Sequence, residues 1–134
     1  LLLAGIGLHT TIIVGWSAKA RELFDSVKSF PALGYKIIGF VPVSASSHQE
    51  NYKKVSVIGS IDELSDIITK YNVEDVLIAL DSSEHDRLLY VVSCCGLTQV
   101  SLKIIPDLYD IISGQARTNQ IYGFPLIEIM PDLM

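Results

Sequence analysis

Thr10-Thr11-Ile12-Ile13-Val14-Gly15-Trp16-Ser17-Ala18-Lys19-Ala20 is the stretch that decides the fold. Its first half is β-branched and apolar without alternation, the pattern of a strand buried on both faces, as a parallel sheet requires. The strand stops at Gly15. Ser17 is placed to cap a helix, and Ala20, Leu23, Phe24 and Val27 then fall at i, i+3, i+4 and i+7, forming one apolar stripe. A buried strand that turns on a glycine into an amphipathic helix opens a β-α-β unit.

The same grammar continues outward. Pro31 and Gly34 end the helix, and Lys36–Val41 reads as a second strand. Pro42–Lys54 is polar and serine-rich, which predicts a loop, and Val55–Gly59 predicts a short third strand. Ser60-Ile61-Asp62-Glu63 is a capping box. Leu64, Ile67, Ile68 and Tyr71 supply the next helical stripe, and Asn72 suits the left-handed position at its end. Asp75–Leu80 is the cleanest buried strand, followed by a polar turn, Asp81-Ser82-Ser83. A helix is expected over Glu84–Cys95, with Leu88, Val91, Val92 and Cys95 on one face. Val100–Ile105 predicts a fifth strand, Pro106–Gly114 a short helix, Tyr122–Pro125 a turn and Leu126–Ile129 an extended tail.

Strands alternating with helices predict an α/β fold: a Rossmann-like three-layer arrangement with a mainly parallel sheet of about five strands and helices on both faces. The expected organisation is a lead-in over residues 1–9 from a preceding segment and one domain over 10–134, with a C-terminal tail over 115–134. The start at Leu1 and the end at Met134 suggest a piece of a longer protein. The apolar Tyr122–Met134 stretch is a candidate interface to a second copy or to another segment.

Composition narrows the function. The chain has 134 residues, 49% hydrophobic and 19% charged, with a mean hydropathy of +0.40. That excludes a disordered chain. The formal charge is −5 and no run of lysine or arginine occurs, which argues against nucleic acid and against direct binding to an anionic membrane. No apolar stretch approaches the ~18 residues of a membrane span. Cys94 and Cys95 are adjacent and lack metal spacing, so they read as two buried thiols. His9, His48 and His85 are scattered, without metal spacing or triad partners. No catalytic residue and no metal ligand is assigned.

In an open α/β sheet, ligands bind beyond the carboxyl ends of the strands, where strand order reverses. That places a candidate nucleotide or phosphate crevice on Gly15, Trp16, Ser17, Ala18 and Lys19, with Asp81, Ser82 and Ser83 as the opposite rim. The first turn occupies the place of a G-x-G-x-x-G/A fingerprint, with Gly15 first and Ala20 third. Ser17 replaces the middle glycine, which normally lets backbone approach a pyrophosphate. The acid expected about 20 residues on, at the end of the second strand, is missing: none occurs between Asp25 and Glu50. Ordinary NAD binding is therefore disfavoured. A UDP-type nucleotide or CoA would ask less of the second strand. A tight turn with capped helices and no ligand accounts for the same residues.

Several ordered segments resemble one family. They are Gly5–Leu8, Thr11–Gly15, Lys19–Leu23, Pro31–Lys36, Gly39–Val41, Gly59–Leu64, Val76–Leu80, Ile105–Asp110 and Gly123–Glu128. Together they resemble the cytoplasmic nucleotide- or CoA-binding-like domain of bacterial polyprenyl glycosylphosphotransferases, sugar transferases of exopolysaccharide, capsule and O-antigen synthesis. The resemblance implies membrane helices before this domain and a catalytic domain after it. It also implies transfer of a sugar-1-phosphate from a nucleoside-diphosphate sugar to undecaprenyl phosphate at the cytoplasmic face of the inner membrane. Catalysis would lie outside this chain, whose role would be regulation or assembly. Its partners would be those segments or a second copy. Relatives often keep a glycine-rich turn and an acidic pair after the second strand, where this chain has Ser17 and Pro42-Val43. Two alternatives are the leading part of an NAD-dependent nucleotide-sugar dehydratase or epimerase, and a stand-alone nucleotide- or CoA-sensing module.

Overall fold

A computed structural model describes residues 8–43, 51–96, 100–108, 118–120 and 126–129. The first strand, β1 (His9–Val14), holds Ile12, Ile13 and Val14 with no exposed surface. A parallel sheet buries both faces of its central strands, which suits an unbroken β-branched run. Around β1 lie β2 (Tyr35–Val41), β5 (Asp75–Ile78) and β6 (Ser101–Ile104), all parallel. Two short strands, β7 (Thr118–Gln120) and β8 (Ile127–Ile129), add antiparallel at the β6 edge. The order is β2-β1-β5-β6-β8-β7, a six-stranded and mainly parallel sheet. The expected class is therefore the observed one, with the extended tail as its antiparallel margin.

Helix α1 (Ala18–Lys28) buries Ala20, Leu23, Phe24 and Val27, the stripe read from the sequence. It packs through Phe24 on Phe40 of β2, ring centroids 5.7 Å apart. Strand neighbours point to opposite faces, so Gly39 faces away from α1, where Ile58 fills the space a side chain would need. Beyond Ile58, Ile67 of α2 (Leu64–Tyr71) approaches Gly59 on that second face. Helix α2 ends at Asn72 in the left-handed conformation, and the Ser60–Glu63 capping box starts its first turn. Helix α3 (Leu88–Gly96) packs beside α2, and Tyr90 Oη donates to Asp62 Oδ1 at 3.1 Å. Each fully buried aliphatic chain contributes about 1.5–3 kcal/mol of transfer free energy. The continuous cluster from Ile12 through Leu64, Leu77, Leu88 and Leu102 is thus the main stabilising element.

Four local readings need correction. The Pro42–Lys54 loop contains a strand, β3 (Asn51–Tyr52), which pairs antiparallel with β4 (Val55–Ser56). The expected third strand over Val55–Gly59 does not join the main sheet as a ladder. After β4 it makes only a parallel bridge from Val57 to Phe40. The helix expected from Glu84 is a 3-10 segment over Ser82–Arg87 before α3 begins. Half-buried Cys94 does not match the fully buried pair expected, although Cys95 is buried and desolvation pushes its thiol up to about 12. The expected helix over Pro106–Gly114 is described only as a 3-10 turn at Pro106–Leu108. Its remainder, the lead-in over residues 1–7 and the Tyr122–Pro125 turn lie outside the described residues.

Candidate functional site

Chain direction reverses its lateral course between β1 and β5: β1 leads to β2 on one side, and β2 leads back across to β5 on the other. Open α/β sheets bind ligands beyond such a point. Gly15 leaves β1 there with φ +127, a conformation that side-chain-bearing residues rarely adopt, and donates its N–H to Val41 O at 2.7 Å. A Cβ on Gly15 would lie 2.4 Å from Ala79 O and 3.6 Å from Ala20 Cβ. Gly15 is therefore required for β1, β5 and α1 to come this close. That is the part a first fingerprint glycine plays.

Trp16 and Ser17 are half-buried, Ala18 is exposed and Lys19 is half-buried. Trp16 meets Phe40 edge to face, centroids 4.9 Å apart. Ser17 stands at the N-cap of α1, and its carbonyl accepts from Ala20 N and Arg21 N at 3.0 and 3.2 Å. Its hydroxyl makes no cap bond, contrary to the expectation. Among the described residues, buried Ser17 Oγ has no partner, and neither has Arg21 Nε one turn further on. The first-turn N–H groups of a helix lack intrahelical acceptors and form a positive dipole end.

The opposite rim is a cap. Asp81 accepts from Ser83 N at 3.0 Å and from Ser83 Oγ at 2.6 Å, while Glu84 Oε1 accepts from Asp81 N at 3.3 Å. Burial raises the Glu84 carboxyl above its usual range, against the pull of that hydrogen bond. Ser82 and Ser83 are exposed. Arg87 Nη2 donates to Val43 O at 2.8 Å and so ties this rim to the segment leaving β2. Because β1 and β5 are hydrogen-bonded neighbours, the Gly15 and Asp81 turns leave the sheet side by side.

The sequence reading missed a third wall. The β3–β4 hairpin lies against α1: Tyr52 Oη donates to Asp25 Oδ2 and Lys53 Nζ to Asp25 Oδ1, both at 2.8 Å. These bonds hold Asp25 below the usual carboxylate range, Lys53 contributing most. The Arg21 guanidinium sits 4.7 Å from the Trp16 ring centroid and 6.0 Å from that of Tyr52. No spacing rule links Trp16, Arg21 and Tyr52. Only the aromatic and cationic composition of these segments hinted at it.

A phosphate-bearing nucleotide such as CoA fits these residues on three counts. Gly15 leaves the backbone without a side chain, α1 begins at this end of the sheet, and Ser17 Oγ and Arg21 Nε have no hydrogen-bond partner among the described residues. Among the described residues, β2 ends in Val41, Pro42 and Val43, which are buried and carry no acid for a ribose hydroxyl. Among the described residues, no group of three or more His, Cys, Asp or Glu side chains could hold a metal ion. No helix among them is long and apolar enough to cross a membrane.

Known proteins agree with this architecture. The chain is 21% identical over 126 residues to a UDP-glucose:undecaprenyl-phosphate glucose-1-phosphate transferase of Xanthomonas campestris pv. campestris, covering 93% of this chain and 26% of that protein. It is 24% identical over 86 residues to the capsular polysaccharide biosynthesis protein CapD of Staphylococcus aureus, covering 60% of this chain and 14% of that one. The chain thus spans about a quarter or less of these relatives. Among solved structures, a UDP-D-quinovosamine 4-dehydrogenase from Vibrio fischeri shares the fold with a TM-score of 0.67 and 18% identity, over 94% of this chain and 97% of that one. The Rex-family repressor RSP shares it with a TM-score of 0.59 and 15% identity, over 69% of this chain and 42% of that one. The model of the CoA-binding domain matches residues 5–106, and the chain belongs to that family.

Proposed function

We propose that the chain is a non-catalytic, nucleotide-binding-type regulatory or assembly domain of a bacterial sugar transferase. The parent enzyme would move a sugar-1-phosphate from a nucleoside-diphosphate sugar to undecaprenyl phosphate at the cytoplasmic face of the inner membrane. The observation that carries this reading is the similarity to the Xanthomonas transferase along 93% of the chain. The site chemistry supports a non-catalytic role: the carboxylates at the crevice, Asp81 and Glu84, are occupied in a cap. Its partners would be the membrane and catalytic segments of the parent protein or a second copy of itself, not nucleic acid. The likeness to a nucleotide-sugar dehydrogenase favours a second reading, the leading part of an NAD-dependent enzyme. Ser17 and the apolar end of β2 weigh against it.

In the proposed site, Gly15, Trp16, Ser17, Ala18 and Lys19 cradle a phosphate, and the Asp81–Ser83 turn forms the facing rim. Calorimetric titration with UDP, UDP-glucose, CoA and NADH tests this, with Ser17→Arg filling the cradle. The proposal expects one of the first three to bind and the variant to lose it. Binding of NADH alone would favour the dehydrogenase reading. Silence from all four would overturn the nucleotide role.

A further inference from the structure

We infer that Arg21, beside Trp16 and Tyr52, makes the crevice select nucleotides whose ribose carries a further phosphate at its 2′ or 3′ position, beyond the 5′-phosphate common to all nucleotides. The inference rests on the proposed crevice and specifies its ligand class. Arg21 lies one helical turn beyond Ser17, on the side of α1 that faces β2 through Trp16 and Phe40. In folds of this kind the ribose lies over the end of the second strand, and an acid there binds its hydroxyls, whereas an arginine accommodates a phosphate on it. Here that strand ends in Val41-Pro42-Val43, and no acid occurs between Asp25 and Glu50.

The charges point the same way. Asp25, the nearest carboxylate on α1 facing the hairpin, is already taken by Lys53 and Tyr52. Among the described residues no carboxylate forms a salt bridge with Arg21, and its buried Nε has no acceptor. Residues 1–59 carry six lysines and arginines against three carboxylates, although the whole chain is acidic. The guanidinium lies 4.7 Å from the Trp16 ring centroid and 6.0 Å from that of Tyr52, contacts that favour one placement of its planar donors. A guanidinium binds phosphate through two parallel N–H donors, which a lone ribose hydroxyl cannot match.

The test compares two matched pairs on the 134-residue chain: CoA against dephospho-CoA, and NADP⁺ against NAD⁺. The expected result is that at least one phosphorylated member binds about tenfold or more tightly than its partner. Arg21→Gln should erase that preference, so that both members of the pair bind alike, and its thermal unfolding shows that the variant is folded. Arg21→Lys should retain only part of it. The pair that discriminates tells a 3′-phosphate from a 2′-phosphate. Equal binding within both pairs would overturn the inference and leave the crevice standing. A preference that survives in Arg21→Gln would overturn the role of Arg21. No binding by any of the four would overturn this inference, and with UDP and UDP-glucose silent too it would overturn the crevice as well.

Discussion

A Cβ on Gly15 would stand 2.4 Å from the carbonyl oxygen of Ala79, so these two residues fix how closely β1 and β5 run where the sheet opens. The contact is backbone against backbone and has no flexible atom to give way. Gly15→Ala is expected to cost about 3 kcal/mol, from the strained φ and the displaced strand. Urea denaturation reads it as a lower midpoint with an unchanged slope.

Lys53 and Lys54 form the two-residue turn between β3 and β4, and both have positive φ, 51 and 73. Such turns normally carry Asn-Gly because other side chains are strained there. Lys54→Gly keeps the Lys53–Asp25 ion pair and should stabilise the domain by about 0.5 kcal/mol, the relief of strain exceeding the entropic cost of glycine. Lys54→Val should destabilise it, and thermal unfolding of both variants checks the sign.

This hairpin also shows where the sequence stops being legible. β1, α1, α2 and β5 are readable because burial on two faces leaves an unbroken apolar run, Ile12–Val14 and Val76–Leu80, and burial on one stripe leaves a helical period, Ala20/Leu23/Phe24/Val27 and Leu64/Ile67/Ile68. The β3–β4 hairpin has no such period, and Lys-Lys is not turn chemistry. Its position comes from contacts of Tyr52 and Lys53 with Asp25, residues 27 and 28 positions away. The α3 boundary slipped because the Asp81–Glu84 capping box winds a 3-10 turn first. Gly15 and the Asp81 turn were placed from the topology rule, whereas Arg21 beside Trp16 was invisible without the fold.

Asp75 is buried at the start of β5, bonded to Lys103 of β6 and, at 2.8 Å, to His9 Nδ1. Removing one partner leaves a buried carboxylate short of its counter-charge. Lys103→Met should cost about 3 kcal/mol. Adding Asp75→Asn to it should give a protein more stable than Lys103→Met alone. A double-mutant cycle by urea denaturation measures both effects.

The Glu84 carboxyl is raised by burial, so the folded state holds its proton more tightly than the unfolded state does. Such a group favours folding at low pH and loses that contribution as pH rises from the ordinary glutamate range through its folded value. Glu84→Gln retains a capping acceptor without the charge. It should be at least as stable as the parent at pH 7, with any advantage vanishing below about pH 4. Stability measured against pH for both proteins reads the difference directly.

Amide spectra of the ¹⁵N-labelled domain during a CoA titration, repeated with UDP, test the central claim most directly. The crevice reading predicts saturable shifts at Gly15, Trp16, Ser17 and Ala18, with smaller ones at Asp81–Ser83, for at least one ligand. Shifts confined to another surface, or a spectrum that neither ligand moves, would contradict it.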